Sequence, residues 1–346
     1  MRSVVDRLTL LDVGLRALDA RLPDVTPSLC LVTRYRGSSC RRCLDACPGA
    51  AITSEEWLSV TPDLCSSCGA CAAVCRTGAL SFAGRSAALR AALAAAAAGE
   101  PGVALVCGPA WPAFAAVGTD VRVVVVPCLG GVAAADLVAA AALGVAAVEL
   151  VTGRCEDCSQ APAGDCLHVA LEDARATLAA LGVTAAFSRR AGAGTFAADD
   201  RVATGAAAGD AALSRHELFS FLARGMRRAV AEATAPAQRG VEDLHRQAPP
   251  PSAHERLIDD LAALRRANTA AAVALPGALP LATLAIGVGC DGCGLCVRYC
   301  PHAALTLADG RAAWDAAACT GCGLCVEVCP PTALELGPAV LAPVAL

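Results

Sequence analysis

Large aromatic side chains are scarce: the chain has 6 Phe, 3 Trp and 2 Tyr in 346 residues. Hydrophobic residues make up 56% of it, but much of that share is alanine, which favours helix and buries little area. Core packing therefore offers limited stability, and ligated metal is expected to supply part of the remainder. A positive excess is also missing. The formal net charge is −4, whereas a nucleic-acid partner would need a basic face. No apolar run reads as a membrane span: Pro127 and Asp136 interrupt Val123–Val151, and Pro276 and Pro280 interrupt Ala270–Val288. The opening MRSVVDRLTLLDVGLRALDA carries charge through its apolar stretch and ends in no small-residue cleavage site, so no signal peptide is expected. The five histidines (His168, His216, His245, His254, His302) are scattered and are not expected to be ligands. No Ser/His/Asp arrangement and no CxxxCxxC run is present.

What the sequence does have is cysteine, 21 in all. With no export signal, such a chain is expected to be cytoplasmic and metal-ligating rather than disulfide-bonded. Six regions follow from composition. Residues 1–27 read as an N-terminal helical segment, and residues 28–85 are cysteine-dense. Residues 86–187 alternate strand and helix. Residues 188–279 read as a linker, 280–338 are cysteine-dense again, and 339–346 form a tail.

In the middle region the pattern predicts helix Arg85–Ala98, strand Val103–Val106, a short helix near Trp111–Ala116 and strand Val121–Val126. Helix Ala133–Leu143, strand Ala146–Val151 and helix Leu167–Leu181 follow. Short apolar runs between helices argue for βαβ units and a parallel sheet. The linker predicts two helices, Ser214–Ala233 and Ala253–Ala267, with Ser214 and Glu217 as a capping box. A proline-rich stretch between them reads as a flexible tether. Arg224, Arg227 and Arg228 lie on the first helix and read as a solvated face or a docking face.

The C-terminal region contains Cys290-x2-Cys293-x2-Cys296-x3-Cys300-Pro301 and Cys319-x2-Cys322-x2-Cys325-x3-Cys329-Pro330. Both are complete C-x2-C-x2-C-x3-C-P runs, the spacing of [4Fe–4S] ligation. Zinc sites generally use two separated pairs instead. Gly287, Gly289 and Gly292 formally match GxGxxG, but Cys290 sits inside the match and no long helix is expected after it, so no dinucleotide site is predicted. The region resembles the bacterial two-cluster ferredoxins along its whole length. That resemblance implies crossed ligation: Cys290, Cys293 and Cys296 with Cys329, and Cys319, Cys322 and Cys325 with Cys300.

The N-terminal region repeats the pattern with changes. Cys65-x2-Cys68-x2-Cys71-x3-Cys75 is complete, but Arg76 replaces the proline. Before it stands Cys40-x2-Cys43-x3-Cys47-Pro48, whose expected first cysteine would fall at Gly37. The nearest substitute is Cys30, across the insert LVTRYRGSS. This region resembles a two-cluster ferredoxin with one altered arm. The resemblance implies one cubane on Cys65, Cys68, Cys71 and Cys47, and a second on Cys40, Cys43, Cys75 and Cys30. Without Cys30 the second site would be a three-iron cluster or a cubane with a labile corner. Arg34, Arg36, Arg41 and Arg42 flank it. After each fourth cysteine the same pattern recurs: Ala50-Ala51-Ile52, Gly78-Ala79-Leu80, Ala303-Ala304-Leu305 and Thr332-Ala333-Leu334. A short strand packing its aliphatic residue under a cluster is the expected cause.

Five more cysteines lie in the middle region. Cys107, Cys128 and the pair Cys155 and Cys158 each follow a predicted strand, and Cys166 lies in the adjoining loop. The carboxyl ends of parallel strands converge on one edge, where ligands bind. A metal site is therefore expected there, with zinc or a dithiol relay between Cys155 and Cys158 as alternatives. The segments VALVC, VVVPCLGG and LVTGRCEDC resemble the delta-subunit iron–sulfur domain of methyl-viologen-reducing hydrogenases and heterodisulfide reductase systems. That resemblance implies a [2Fe–2S] cluster. The departure is CGPAW after Cys107, where the family has a second cysteine.

The expected fold is thus an α+β ferredoxin-like module at each end, a central α/β parallel-sheet domain, and a helical, flexible linker. The expected function is electron transfer through several [4Fe–4S] clusters, with hydrogenase, dehydrogenase or reductase subunits as redox partners. A redox enzyme using the central cysteines and a cluster-delivery protein are the alternatives.

Overall fold

The computed structural model describes residues 22–54, 57–115, 121–191, 252–268, 272–276 and 279–341. The helix expected at Ser214–Ala233, with its capping box and arginines, the proline-rich tether after it, and residues 1–21 of the N-terminal segment lie outside the described residues.

At the centre is a four-stranded parallel sheet. Its strands are β1 (Val103–Cys107), β2 (Arg122–Val126), β3 (Ala147–Thr152) and β4 (Ala186–Ala191), in the order β2-β1-β3-β4. Every residue of β1 is buried, as a strand covered on both faces requires. A short helix spans Trp111–Ala115, as expected, and three longer ones belong to the same chain region: α1 (Ala83–Ala97), α2 (Ala134–Ala142) and α3 (Ala161–Ala180). Each buries a spaced apolar stripe, such as Leu167, Ala170, Leu171, Ala174 and Leu178 of α3. Helix α3 begins six residues earlier than the sequence predicts, because Pro162 sits in its first turn, where a missing N–H costs nothing.

The sheet also runs past the expected boundary at residue 187. Strand β4 carries Arg189 and Arg190 on a sheet edge, a charged composition that protects edges and hides them from pattern reading. Arg190 Nε pairs with Glu149 at 2.8 Å.

A fourth helix, α4 (Ala253–Asn268), lies in the region read as a linker. Its Leu257, Leu261 and Leu264 pack into the central core together with Leu137, Leu171 and Leu178. Arg90 of α1 grips the buried Asp260 through two bonds of 2.7 Å. Leu275, Leu279, Leu281 and Ala339 join the same core. The chain thus enters the C-terminal module from the central core itself.

The two end modules share one plan. In the N-terminal module Asp24–Val25 pairs with Leu80–Ser81, and Ile52–Thr53 with Ser59–Val60. In the C-terminal module Thr283–Ile286 pairs with Leu334–Gly337, and Leu305–Ala308 with Arg311–Trp314. All these pairs are antiparallel. Among the described residues no helix is long and apolar enough to cross a membrane.

Candidate metal centres

The C-terminal cysteines gather around two cavities. Cys290, Cys293, Cys296 and Cys329 line one of about 310 Å³. Cys300, Cys319, Cys322 and Cys325 line one of about 370 Å³. The fourth cysteine of each run therefore crosses to the other triplet. In the N-terminal module Cys47 stands by Cys65, Cys68 and Cys71. Cys30 and Cys75 stand by Cys40 and Cys43. The insert that follows Cys30 opens with one helical turn, Leu31–Arg34. Cys30 itself is buried in the module core beside Ile52, Leu80 and Phe82.

Crowding these sulfurs together makes the metal-free thiols hard to ionise. Burial, and then the neighbouring thiols, push Cys43, Cys71 and Cys325 up to about 12 from 9.0. Metal ligation removes that proton and gives the buried sulfur a counter-charge. Backbone amides already point at several sulfurs. Ala51 N donates to Cys47 Sγ at 3.3 Å and Ala304 N to Cys300 Sγ at 3.3 Å. Amides of Ala312 and Gly292 hold Cys290 below the ordinary thiol value.

The repeated tripeptide now has a physical account. Its first residue takes a left-handed turn at Ala50, Gly78, Ala303 and Thr332, with φ of 48°, 70°, 52° and 51°. In two of the four repeats the alanine that follows aims its amide at the thiol. The aliphatic third residue, Ile52, Leu80, Leu305 or Leu334, packs into the module core among the cysteines.

In the central sheet, Cys107, Cys128, Cys155 and Cys158 line one cavity of about 390 Å³. The cavity lies beyond the carboxyl ends of β2, β1 and β3. The connections from β1 and β3 leave in opposite directions there, and such a switch point opens a crevice. Gly153 N donates to Cys107 Sγ at 3.0 Å, Gly130 N to Cys128 Sγ at 3.4 Å, and Gln160 N to Cys158 Sγ at 3.4 Å. Burial pushes Cys128 up to about 12. Four thiols, three of them with amide donors, suit a thiolate-bound group, and the cavity resembles the two C-terminal ones in size. Neither Gly153 nor Gln160 was picked out from the sequence; only their closeness to CEDC marked them.

Cys166 is not part of this ring. It lies within α3 rather than in a loop, because that helix starts at Ala161, and it packs with Cys68, Ala70 and Ala163 against the N-terminal module. His302 borders the Cys300 cavity, and His216 and His245 lie outside the described residues. Gly287 and Gly289 precede no long helix: the helix that follows spans only Leu295–Tyr299. Among the described residues no three His, Cys, Asp or Glu converge as a single ion would need.

Two comparisons bear on these sites. A family model described as a 4Fe-4S dicluster domain matches residues 289–338, and one described as a 4Fe-4S binding domain matches residues 58–81. No curated protein and no solved structure matches the chain. The chain therefore carries a ferredoxin-type region toward each end, binds [4Fe–4S] clusters, and is an iron–sulfur electron-transfer protein.

Proposed function

We propose that the chain relays single electrons through five centres, within or between the components of an oxidoreductase assembly. Four centres are [4Fe–4S] clusters. Their ligands are Cys290, Cys293, Cys296 and Cys329; Cys300, Cys319, Cys322 and Cys325; Cys30, Cys40, Cys43 and Cys75; and Cys47, Cys65, Cys68 and Cys71. The fifth is held by Cys107, Cys128, Cys155 and Cys158. When bound, such clusters supply sites that take up and release one electron each.

The observation that carries this reading is continuity. Cys40 and Cys322 pack against one small core of Leu31, Leu324 and Val328. Cys68 and Cys128 share another with Ala46, Ala70 and Ala163. The thiol rings therefore follow one another from the C-terminal module through the N-terminal module to the central sheet. The protein's own work is to hold these rings in sequence, exclude water with aliphatic side chains, and tune each centre through amide donors and burial. Four cysteines per cubane leave no open iron position, which favours transfer over substrate chemistry. Of the 21 cysteines only Cys293 is exposed, so the outermost C-terminal site is the natural port for a redox partner. The likeness of the central segments to the hydrogenase delta subunit favours a hydrogenase or reductase component as that partner or as the acceptor.

Iron and acid-labile sulfide per chain, on anaerobically purified protein with zinc measured alongside, test the proposal. About 18 or about 20 Fe supports all five centres, the central one with two or four irons, and about 16 leaves four cubanes and removes the fifth centre. About 8 Fe leaves only the C-terminal module and refutes the relay. Zinc with little sulfide refutes it outright.

A further inference from the structure

We propose that Arg34 and Arg76 are positioning residues that lock the second N-terminal site against the C-terminal module, making one relay out of two modules. The inference rests on the relay reading above. Its starting point is where the N-terminal module breaks the ferredoxin spacing. There are two breaks: the insert that displaces the first cysteine to Cys30, and Arg76 in place of the proline after Cys75. Both are places where this module grips the other one.

At the insert, Arg34 closes a guanidinium fork on the end of helix Leu295–Tyr299. Its Nε donates to Tyr299 O at 2.8 Å, and Nη2 donates to Arg298 O at 3.0 Å and Cys300 O at 3.2 Å. Carbonyls at a helix C-terminus have no partner within their own helix, and a cation there is favourable. Cys300 belongs to the facing thiol ring. Nη1 ties back to Ser28 O at 2.9 Å, beside Cys30. Tyr35 stands edge-on to Tyr299, with ring centroids 5.5 Å apart. Leu31 is buried against Leu324 and Val328.

At the second break, Arg76 Nη1 donates to Leu279 O at 3.1 Å and to Gly321 O at 3.3 Å. Gly321 lies between Cys319 and Cys322. A proline at position 76 has no side-chain donor and would make neither bond. The flanking contacts run both ways. His302 Nε2 donates to Thr77 O at 3.1 Å, and Ser39 Oγ donates to Glu327 Oε1 at 2.7 Å. Each anchor sits within a few residues of a thiol of one ring or the other: Cys30, Cys40 and Cys75 on one side, Cys300, Cys322 and Cys325 on the other. An arginine fork is pre-organised for several carbonyls at once, which a lysine is not. The altered spacing is therefore not a degraded motif; its residues are spent on the junction.

The test uses the full chain, wild type and with Arg34→Gln, Arg76→Pro, Arg76→Gln and the double variant Arg34→Gln/Arg76→Gln. Iron and sulfide are measured first, then the electron paramagnetic resonance of the dithionite-reduced protein. Wild type is expected to show one network of interacting reduced clusters. The double variant is expected to keep its iron but lose the inter-module part of that interaction, leaving the C-terminal pair independent of the remaining centres. A further variant, Arg34→Lys/Arg76→Gln, is expected to keep the interaction only in part. An unchanged interaction spectrum in an iron-replete double variant overturns the inference. So does loss of about four irons in both Arg76 variants, since Arg76 would then serve retention of a cluster rather than placement. A wild-type content of about 8 Fe would instead show that the relay reading itself had failed.

Discussion

Four backbone positions adopt the same left-handed turn, and at three of them a side chain makes it strained. Ala50, Ala303 and Thr332 adopt the left-handed conformation that Gly78 adopts in the remaining repeat. An L-residue with a Cβ pays about 1–2 kcal/mol there, whereas glycine enters freely. Ala50→Gly is expected to stabilise the loaded protein by about 0.5–1 kcal/mol. The mirror change, Gly78→Ala, is expected to destabilise it by about 1 kcal/mol. No atom lies within 4 Å of the methyl that Gly78→Ala would add, so the second effect is conformational rather than steric. Anaerobic denaturant midpoints at matched iron content check both, and equal midpoints would dismiss the strain argument. The amide-to-sulfur bonds from Ala51 and Ala304 explain why the turn is kept at all.

At the scale of elements, the turn CLGG after β2 shows how the central sheet meets the N-terminal module. A Cβ on Gly131 would run into the carbonyl of Cys68 and the Cα of Gly69. Gly131→Ala is therefore expected to push the two regions apart and cost about 1–3 kcal/mol, the usual penalty for overpacking. A thermal melt checks the loss, and an unchanged midpoint would mean the contact is slack. Elements differ in how much of them the sequence revealed. The cysteine runs were legible because cluster ligation fixes their spacing. Three strands of the sheet were legible because buried parallel strands are nearly continuous apolar runs. Strand β4 was not, since its arginines read as loop. Helix α4 was legible as a helix, Ala253–Ala267, but it was placed in the linker, because Leu257, Leu261 and Leu264 make a stripe whose partner only the fold supplies. Cys166 was misplaced because the start of α3 was set too late. Arg34 and Arg76 were visible only as breaks in a pattern, with nothing in the sequence to say what they reach.

For the whole molecule, the junctions matter more than the modules. The central core holds Leu89 and Leu105 from before the region at residues 192–251, and Leu257, Leu261 and Leu281 from after it. Arg90 and Asp260 tie the same two stretches, and Arg34 reaches across to Tyr299. Those ties do not depend on the peptide that links the two stretches. A protease cut made between 192 and 251 is expected to leave two pieces that elute together from a sizing column with their iron retained; separation of the pieces would contradict it. The molecule is in this sense already a heterodimer written as one polypeptide. Two separately expressed pieces split at that point are expected to assemble into one particle, and pieces that stay apart when mixed would contradict it.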